Sequence, residues 1–117
     1  MTAIADFSEA EIWVIKSTLR ERYGHDVEVE LAATELRLDP ASTQLAECPA
    51  VYWFYNGCNF IIVKTGDERY RAQFFYRVHQ QYGTGIEEFD NLSDCTVTLL
   101  QVQADFDASE RAQDEKG

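Results

Sequence analysis

The stretch that decides the fold is residues 51–78, VYWFYNGCNFIIVKTGDERYRAQFFYRV. Residues 51–55 are all β-branched or aromatic, and such residues favour β-strands. The dipeptide Asn56-Gly57 follows, and it is a strong hairpin signal because both central residues of a type I′ turn need a positive φ. Residues 58–64 and 69–78 then continue as two further strands with a turn between them. The stretch therefore predicts an antiparallel β-meander.

The N-terminal part of the chain carries the start signal, the periodicity and the stop signal of a helix. Ser8 and Glu11 have the spacing of a capping box, in which each side chain accepts a hydrogen bond from the other residue's backbone amide. The apolar residues that recur at helical spacing after this box are Ile12, Ile15, Leu19 and Tyr23. Gly24 supplies a left-handed C-terminal stop. We predict a helix over residues 8–23.

The segments that flank the meander carry weaker signals. Val27, Val29 and Leu31 alternate with glutamates and predict a half-buried strand. Residues 41–49 fit either a loop or one short helical turn, and residues 79–90 have the glycines of a connection. The apolar residues near the C-terminus recur at helical spacing, and they are Leu92, Cys95, Leu99, Val102 and Phe106. A strand there is the alternative, but the run is longer than an average strand, so we predict a helix.

These elements predict an α+β fold with the order α-β-β-β-β-α. An antiparallel meander of four or five strands would be packed on one face by an N-terminal and a C-terminal helix. We expect residues 1–106 to form a single domain. Residues 107–117 are acidic and contain no large apolar residue, so we expect this tail to fray.

Charge and composition exclude several classes of protein. The chain has 117 residues, and 21 acidic against 10 basic residues give it a formal net charge of -11. A strongly negative chain repels polyanions, so we do not expect a long nucleic acid as its partner. No apolar run reaches the about 18–20 residues that a membrane span requires, and the N-terminus lacks the basic start and apolar stretch of a signal peptide. We therefore expect a cytoplasmic protein without a membrane partner.

The register of the meander assigns its residues to two faces. A two-residue turn at Asn56-Gly57 opposes Tyr55 to Cys58, and we expect Lys64 to oppose Arg69 across the next turn. Alternate side chains then share a face. The face predicted to form the core under the helices carries Tyr52, Phe54, Ile61, Val63, Tyr70, Ala72, Phe74 and Tyr76. The opposite face is predicted to combine aromatic and basic residues, and residues 49–82 are the part of the chain with a basic excess.

The aromatic and basic face is the candidate binding surface. Its predicted contact residues are Trp53, Tyr55, Phe60, Arg69, Arg71, Phe75 and Arg77. Tryptophan, tyrosine and arginine are enriched at binding hot spots, so we expect a protein partner or a second copy of the chain. Two alternatives remain open. The protein covers this face with its own acidic segments, or the face stacks a flat anionic ligand such as a nucleotide.

No pattern in the sequence predicts catalysis. Cys58 and His79 could share a sheet face as a nucleophile pair, but no third group that would orient them is identifiable. The three cysteines include no C-x-x-C pair, which disfavours a zinc ribbon. We therefore expect a non-enzymatic regulatory or binding protein without a cofactor. The alternative is calcium binding, because Ca²⁺ prefers carboxylate oxygens from flexible segments. Its candidate ligands are Glu87, Glu88, Asp90 and Asp94.

Overall fold

The fold is a five-stranded antiparallel sheet with a helix at each end of the chain. The computed structural model describes residues 4–37, 41, 43–76 and 81–116. Its elements are α1 (Glu9–Tyr23), β1 (Glu30–Leu36), β2 (Ala46–Tyr55), β3 (Cys58–Gly66), β4 (Arg69–Phe75), β5 (Gln81–Gly83) and α2 (Leu92–Lys116). The strands lie in the order β1-β2-β3-β4-β5, and both helices contribute to the main core. The predicted α+β class, the meander and the terminal helices are confirmed.

Helix α1 forms as its sequence signals predict. The Glu11 amide donates a hydrogen bond of 3.1 Å to Ser8 Oγ, and the Ser8 amide donates one of 2.9 Å to Glu11 Oε1. Gly24 ends the helix in the left-handed region with φ 79°, where glycine carries no steric penalty. Ile15 and Leu19 are fully buried against the sheet. Within the described residues, neither helix combines the length and the apolar character needed to cross a bilayer.

Several element bounds differ from the sequence prediction. β1 begins at Glu30 and not near Val27. The start of β1 is set by its pairing with β2, and the first pair of that ladder is Glu30 opposite Tyr52. β2 begins at Ala46, inside the ambiguous residues 41–49, and β5 lies inside the expected connection. α2 continues to Lys116, since the tail is rich in alanine and other good helix formers although it has no apolar residue to bury. The expected fraying of residues 107–117 stays a prediction.

The first hairpin has the predicted register. Asn56 and Gly57 adopt φ 52° and 79°, and Tyr55 opposes Cys58 as a two-residue turn requires. The pairing continues without interruption to Ala50 and Val63. The predicted β2–β3 pairing is confirmed.

The second hairpin contains a bulge, and its predicted register is wrong. Gly66 opposes Arg69, and Lys64 opposes Tyr70, so Thr65 is an extra residue on β3. Asp67 and Glu68 alone form the turn, with Glu68 at φ 54°. A shift of one residue moves every side chain of one strand to the other face relative to its neighbour. The predicted assignment of β2 and β3 to the core face is therefore reversed, whereas the β4 assignment holds.

The two faces of the sheet differ in their cover. The helix-covered face carries the main core, and its sheet residues include Val51, Trp53, Phe60, Ile62, Ala72 and Phe74. We call the other side the open face. Its residues include Tyr52, Phe54, Asn59, Ile61, Arg71, Gln73 and Phe75. Neither of these helices packs on the open face, because their buried residues all belong to the main core.

Candidate functional site

The predicted contact residues do not share one surface. Trp53 and Phe60 are each 1% exposed, and their rings stack in the main core with centroids 5.2 Å apart. They cannot touch a partner of the folded chain, and their assignment to an exposed face is corrected by the bulge at Thr65. Arg77, like His79 of the considered Cys58–His79 pair, lies outside the described residues.

Tyr55 lies on the helix-covered side at the end of the first hairpin. Its ring stacks on that of Tyr23 with centroids 3.8 Å apart, and its hydroxyl lies 3.2 Å from His25 Nε2. Burial raises the pKa of Tyr23 to about 12. Tyr55 thus joins the C-terminal end of α1 to the hairpin and is separate from the open face.

Arg69, Arg71 and Phe75 do lie on the open face, where Glu88 pairs with both arginines and the Arg69 side chain stays 66% exposed. Glu88 Oε1 accepts a hydrogen bond of 3.0 Å from Arg69 Nη1, and its Oε2 accepts one of 2.9 Å from Thr65 Oγ1. Arg71 Nε lies 3.6 Å from Glu88 Oε2, is buried and has no hydrogen-bond partner among the described residues. The connection after β5 therefore places one acidic counter-ion against two arginines, so the pairing of the basic face with the chain's own acidic segments, one of the alternatives that the sequence left open, is present in part.

The electrostatics of this cluster favour an ionised Glu88. Partial burial alone would raise the pKa of the Glu88 carboxyl. The hydrogen bonds from Arg69 and Thr65, with the charges of Arg69 and Arg71, outweigh burial and hold that pKa below its ordinary value. Glu88 is therefore a structural counter-ion for the two arginines.

The predicted calcium ligands are spread around the same connection. Glu88 already accepts two hydrogen bonds, whereas Glu87, Asp90 and Asp94 are exposed. Asp94 lies in the first turn of α2, where its amide donates to Asn91 Oδ1 at 3.0 Å. Over the described residues, no three acidic, histidine or cysteine side chains form a metal-binding group. Calcium binding stays a prediction without a supporting contact.

An aromatic patch occupies the open face beside the first hairpin. We define it as Tyr52, Phe54, Ile61 and Phe75, arranged around Asn59. In the ladder Asn59 opposes both Phe54 and Phe75, and Ile61 opposes Tyr52. The Phe54 side chain is 57% exposed, and the other three apolar members are half-buried.

Asn59 fixes the geometry of the aromatic patch. Its Nδ2 donates a hydrogen bond of 3.1 Å to the Phe75 carbonyl, and its Oδ1 accepts one from the Tyr52 hydroxyl. The amide thus has a partner at each end and holds two strands and one ring in place. A patch with its polar centre satisfied is pre-organised for contact, because little side-chain freedom remains to be lost on binding.

A small second core closes the open face beyond the patch. It consists of the buried residues Cys48, Ala50 and Val63, with the partly buried Ile4, Leu36, Ala46 and Ile61 packed against them. The open face therefore has the Glu88 ion pairs at one end and this second core next to the patch. The aromatic patch is the part of it that carries an exposed phenylalanine.

The sequence pattern predicts Tyr52, Phe54 and Ile61 on the core face and Phe75 on the opposite face, and one further signal corrects the first three. Asn59 lies on the same side of the strand as Ile61 and Val63, so the predicted core face would bury the Asn59 side-chain amide in its centre. Burial of an amide without partners costs free energy. Phe60 and Ile62 lie on the other side of the strand, where no polar residue occurs before Lys64. This side of the strand faces the helices.

Comparison with protein-family models, with curated proteins and with solved structures gives no match to this chain.

Proposed function

We propose that this protein is a non-enzymatic binding protein whose aromatic patch docks a protein partner. The observation that carries the proposal is the exposed Phe54 ring beside half-buried Tyr52 and Phe75, on a sheet face that neither helix covers. Contiguous exposed apolar surface on a folded chain marks interaction sites, and aromatic residues are enriched in the centre of such sites.

The partner chemistry follows from the surroundings of the patch. Arg69 and Arg71 share Glu88 as a counter-ion, so an anionic ligand would have to compete with this carboxylate for them. This favours a partner with an apolar surface over a nucleotide. The three cysteines are free and buried, which supports a reducing compartment such as the cytoplasm as the place of action.

A paired capture experiment tests the proposal. Immobilised protein would be compared with the Phe54→Ala variant and with Trp13→Ala, which removes an exposed aromatic side chain from α1 instead. We expect one partner to be lost from the Phe54→Ala sample and retained by Trp13→Ala, with both variants melting close to the unmodified protein. Equal recovery of every captured protein by the two folded variants would refute the role of the patch.

A further inference from the structure

β1 is an edge strand whose side chains are not buried. It lies at one end of the strand order and pairs with β2, and each of its seven residues is exposed or only half-buried. Leu31 is 66% exposed, and the following Ala32 and Ala33 are exposed as well. Apart from Leu36, which packs against the second core, the strand presents its side chains and its outer backbone edge to the surroundings.

β1 carries few of the devices that usually protect an edge strand. Natural edges are blunted by charged side chains, especially lysine, and by proline, bulges or very short strands, and of these β1 has the two glutamates Glu30 and Glu35. Residues Glu30–Leu36 contain no lysine, proline or glycine, and their register with β2 is regular. β5, at the other edge, has three residues within the part of the chain that the structure describes, against seven in β1. Of the two described edges, β1 is therefore the longer one open to another strand.

The ladder identifies which backbone groups point outward. The two residues that flank a two-residue hairpin turn form backbone hydrogen bonds to each other. The N–H and C=O groups of Tyr55 therefore point toward β3. In an antiparallel ladder the direction alternates along the strand, so every second residue of β2 also points toward β3. Pro49 falls in this set, where its missing N–H coincides with the end of the β2–β3 pairing. The intervening residues of β2 bond to Glu30, Ala32, Thr34 and Leu36. Consequently Leu31, Ala33 and Glu35 direct their backbone groups away from the sheet.

We propose that two copies of this chain pair antiparallel through their β1 edges, with the twofold axis at Ala33. In this register the outward-directed residues oppose one another: Ala33 meets Ala33, and Leu31 meets Glu35 in both directions. Each opposed pair can exchange two backbone hydrogen bonds. On the other face Ala32 opposes Thr34, and Glu30 opposes Leu36. The product is a continuous ten-stranded sheet, twice the five strands of one chain.

Three features of the strand favour a second copy over an unrelated partner. The register places no two like charges opposite each other, which would be destabilising. The centre of the contact consists of Ala32, Ala33 and Thr34, which are small enough for close approach. Neither helix covers Leu31, so the helical layer of one copy leaves room for the strand of the other.

The net charge of the chain predicts a salt dependence that distinguishes pairing with a second copy from pairing with a strand of another protein. Two chains that each carry a charge of -11 repel one another, and added salt screens this repulsion. Dimerisation should therefore strengthen between about 0.05 M and 0.5 M salt, as the Debye length shortens. A basic peptide bound to the same edge would dissociate more readily over the same range.

The arrangement has a geometric result for the aromatic patch. An axis perpendicular to the sheet keeps each face on its own side, so both patches would lie on one side of the joined sheet. The dimer does not use Phe54, and Phe54→Ala should leave it intact. Failure of the dimer and failure of the patch are therefore separate results.

Sedimentation velocity on the full chain tests the edge pairing. We expect the unmodified protein to show a concentration-dependent dimer that becomes more abundant with salt. Ala33→Pro should be monomeric, because proline removes an N–H that points outward, and the bonds to β2 are untouched. Phe54→Ala serves as the control that stays dimeric. A monomeric unmodified protein at all salt concentrations would overturn the proposal, as would an unchanged dimer in folded Ala33→Pro.

A cross-linking variant keeps the test decisive if Ala33→Pro does not fold. In the proposed register the two Ala33 Cα atoms lie about 5.5 Å apart, which is within the range that a disulfide spans. The three natural cysteines are buried, so Ala33→Cys would add the accessible thiol. We expect mild oxidation to link Ala33→Cys into dimers and to leave Val97→Cys, an exposed site on α2, largely monomeric. Equal linking of the two variants, or none in Ala33→Cys, would refute the register.

Discussion

Removal of the Lys64 charge should destabilise the protein far more than removal of a surface charge. Lys64 is 6% exposed, and its Nζ donates hydrogen bonds to Glu11 Oε1 at 2.9 Å and to the Asp6 carbonyl at 3.3 Å. The ammonium also lies 6.0 Å from the centre of the Phe7 ring. Lys64→Met keeps most of the apolar stem and deletes the charge, so the measured loss reports on the ion pair.

The size of the loss follows from what Glu11 retains. Breaking a fully buried pair costs about 3–5 kcal/mol, because an uncompensated charge is left behind. Glu11 is only partly buried, and it keeps hydrogen bonds from the Ser8 amide and the Tyr70 hydroxyl. We therefore expect Lys64→Met to lower the free energy of unfolding by about 2–3 kcal/mol, just below that range. For a chain of this size the melting temperature would fall by about 8–12 °C.

The assay is denaturant and thermal unfolding of a double-mutant cycle. Glu11→Gln is the second variant, because glutamine preserves the capping box while removing the negative charge. Arg20→Met is the matched control, since the Arg20–Asp26 ion pair at 3.7 Å is exposed at both ends and should contribute less than about 0.5 kcal/mol. If Lys64→Met costs no more than Arg20→Met, or the cycle shows no coupling between Lys64 and Glu11, the reasoning is refuted.

Three further predictions concern pH, thiol reactivity and the first turn. Burial alone would raise the pKa values of Glu11 and Glu88, but their hydrogen bonds and neighbouring cations lower both below the ordinary 4.5. Folded carboxyls with lowered pKa values stabilise the protein above pH 4.5, so this stability should be lost as acid protonates them; melting curves in which the double variant Glu11→Gln, Glu88→Gln shows the same acid dependence would contradict this. Burial raises the pKa of Cys58 to about 11 and that of Cys95 to about 12, so a thiol reagent at pH 8 should react with these cysteines only after denaturation, and rapid reaction of the native protein would argue against their burial. Gly57→Ala should cost about 1 kcal/mol in chemical denaturation because Gly57 has φ 79°, whereas Gly83→Ala meets no atom within 4 Å and should cost little; equal costs would contradict the turn geometry.

Local signals explain which parts of the fold could be read from the sequence. The Ser8–Glu11 box and Gly24 bound α1 because they satisfy the ends of the helix within a few residues of chain. Asn56-Gly57 set the register of the first hairpin because the turn alone determines which residues oppose each other. The bounds of β1 depend instead on β2, from which it is separated by a long connection, and no local pattern encodes that pairing.

The candidate site was harder to read, because it depends on one residue of register. Threonine is common in regular strands, and the residues around Thr65 contain no signal that a bulge, and not a regular ladder, forms there. The predicted faces of the aromatic residues are therefore wrong in β2 and β3, where Trp53 and Phe60 are buried and Phe54 is exposed, and right in β4. The pairing of Arg69 and Arg71 with Glu88 links positions about twenty residues apart in sequence and depends on the path of the connection after β5.

The bulge at Thr65 also determines how this gene can tolerate changes in length. Surface hairpins usually accept an inserted or deleted codon at little cost, since the loop absorbs it. Here the loss of one codon between Lys64 and Arg69 would remove the extra residue and bring opposite sides of β3 and β4 into alignment. Phe74 would then compete with Phe75 for the space beneath the helices. The register of β3 and β4 therefore depends on the number of residues in this turn and not on their side chains.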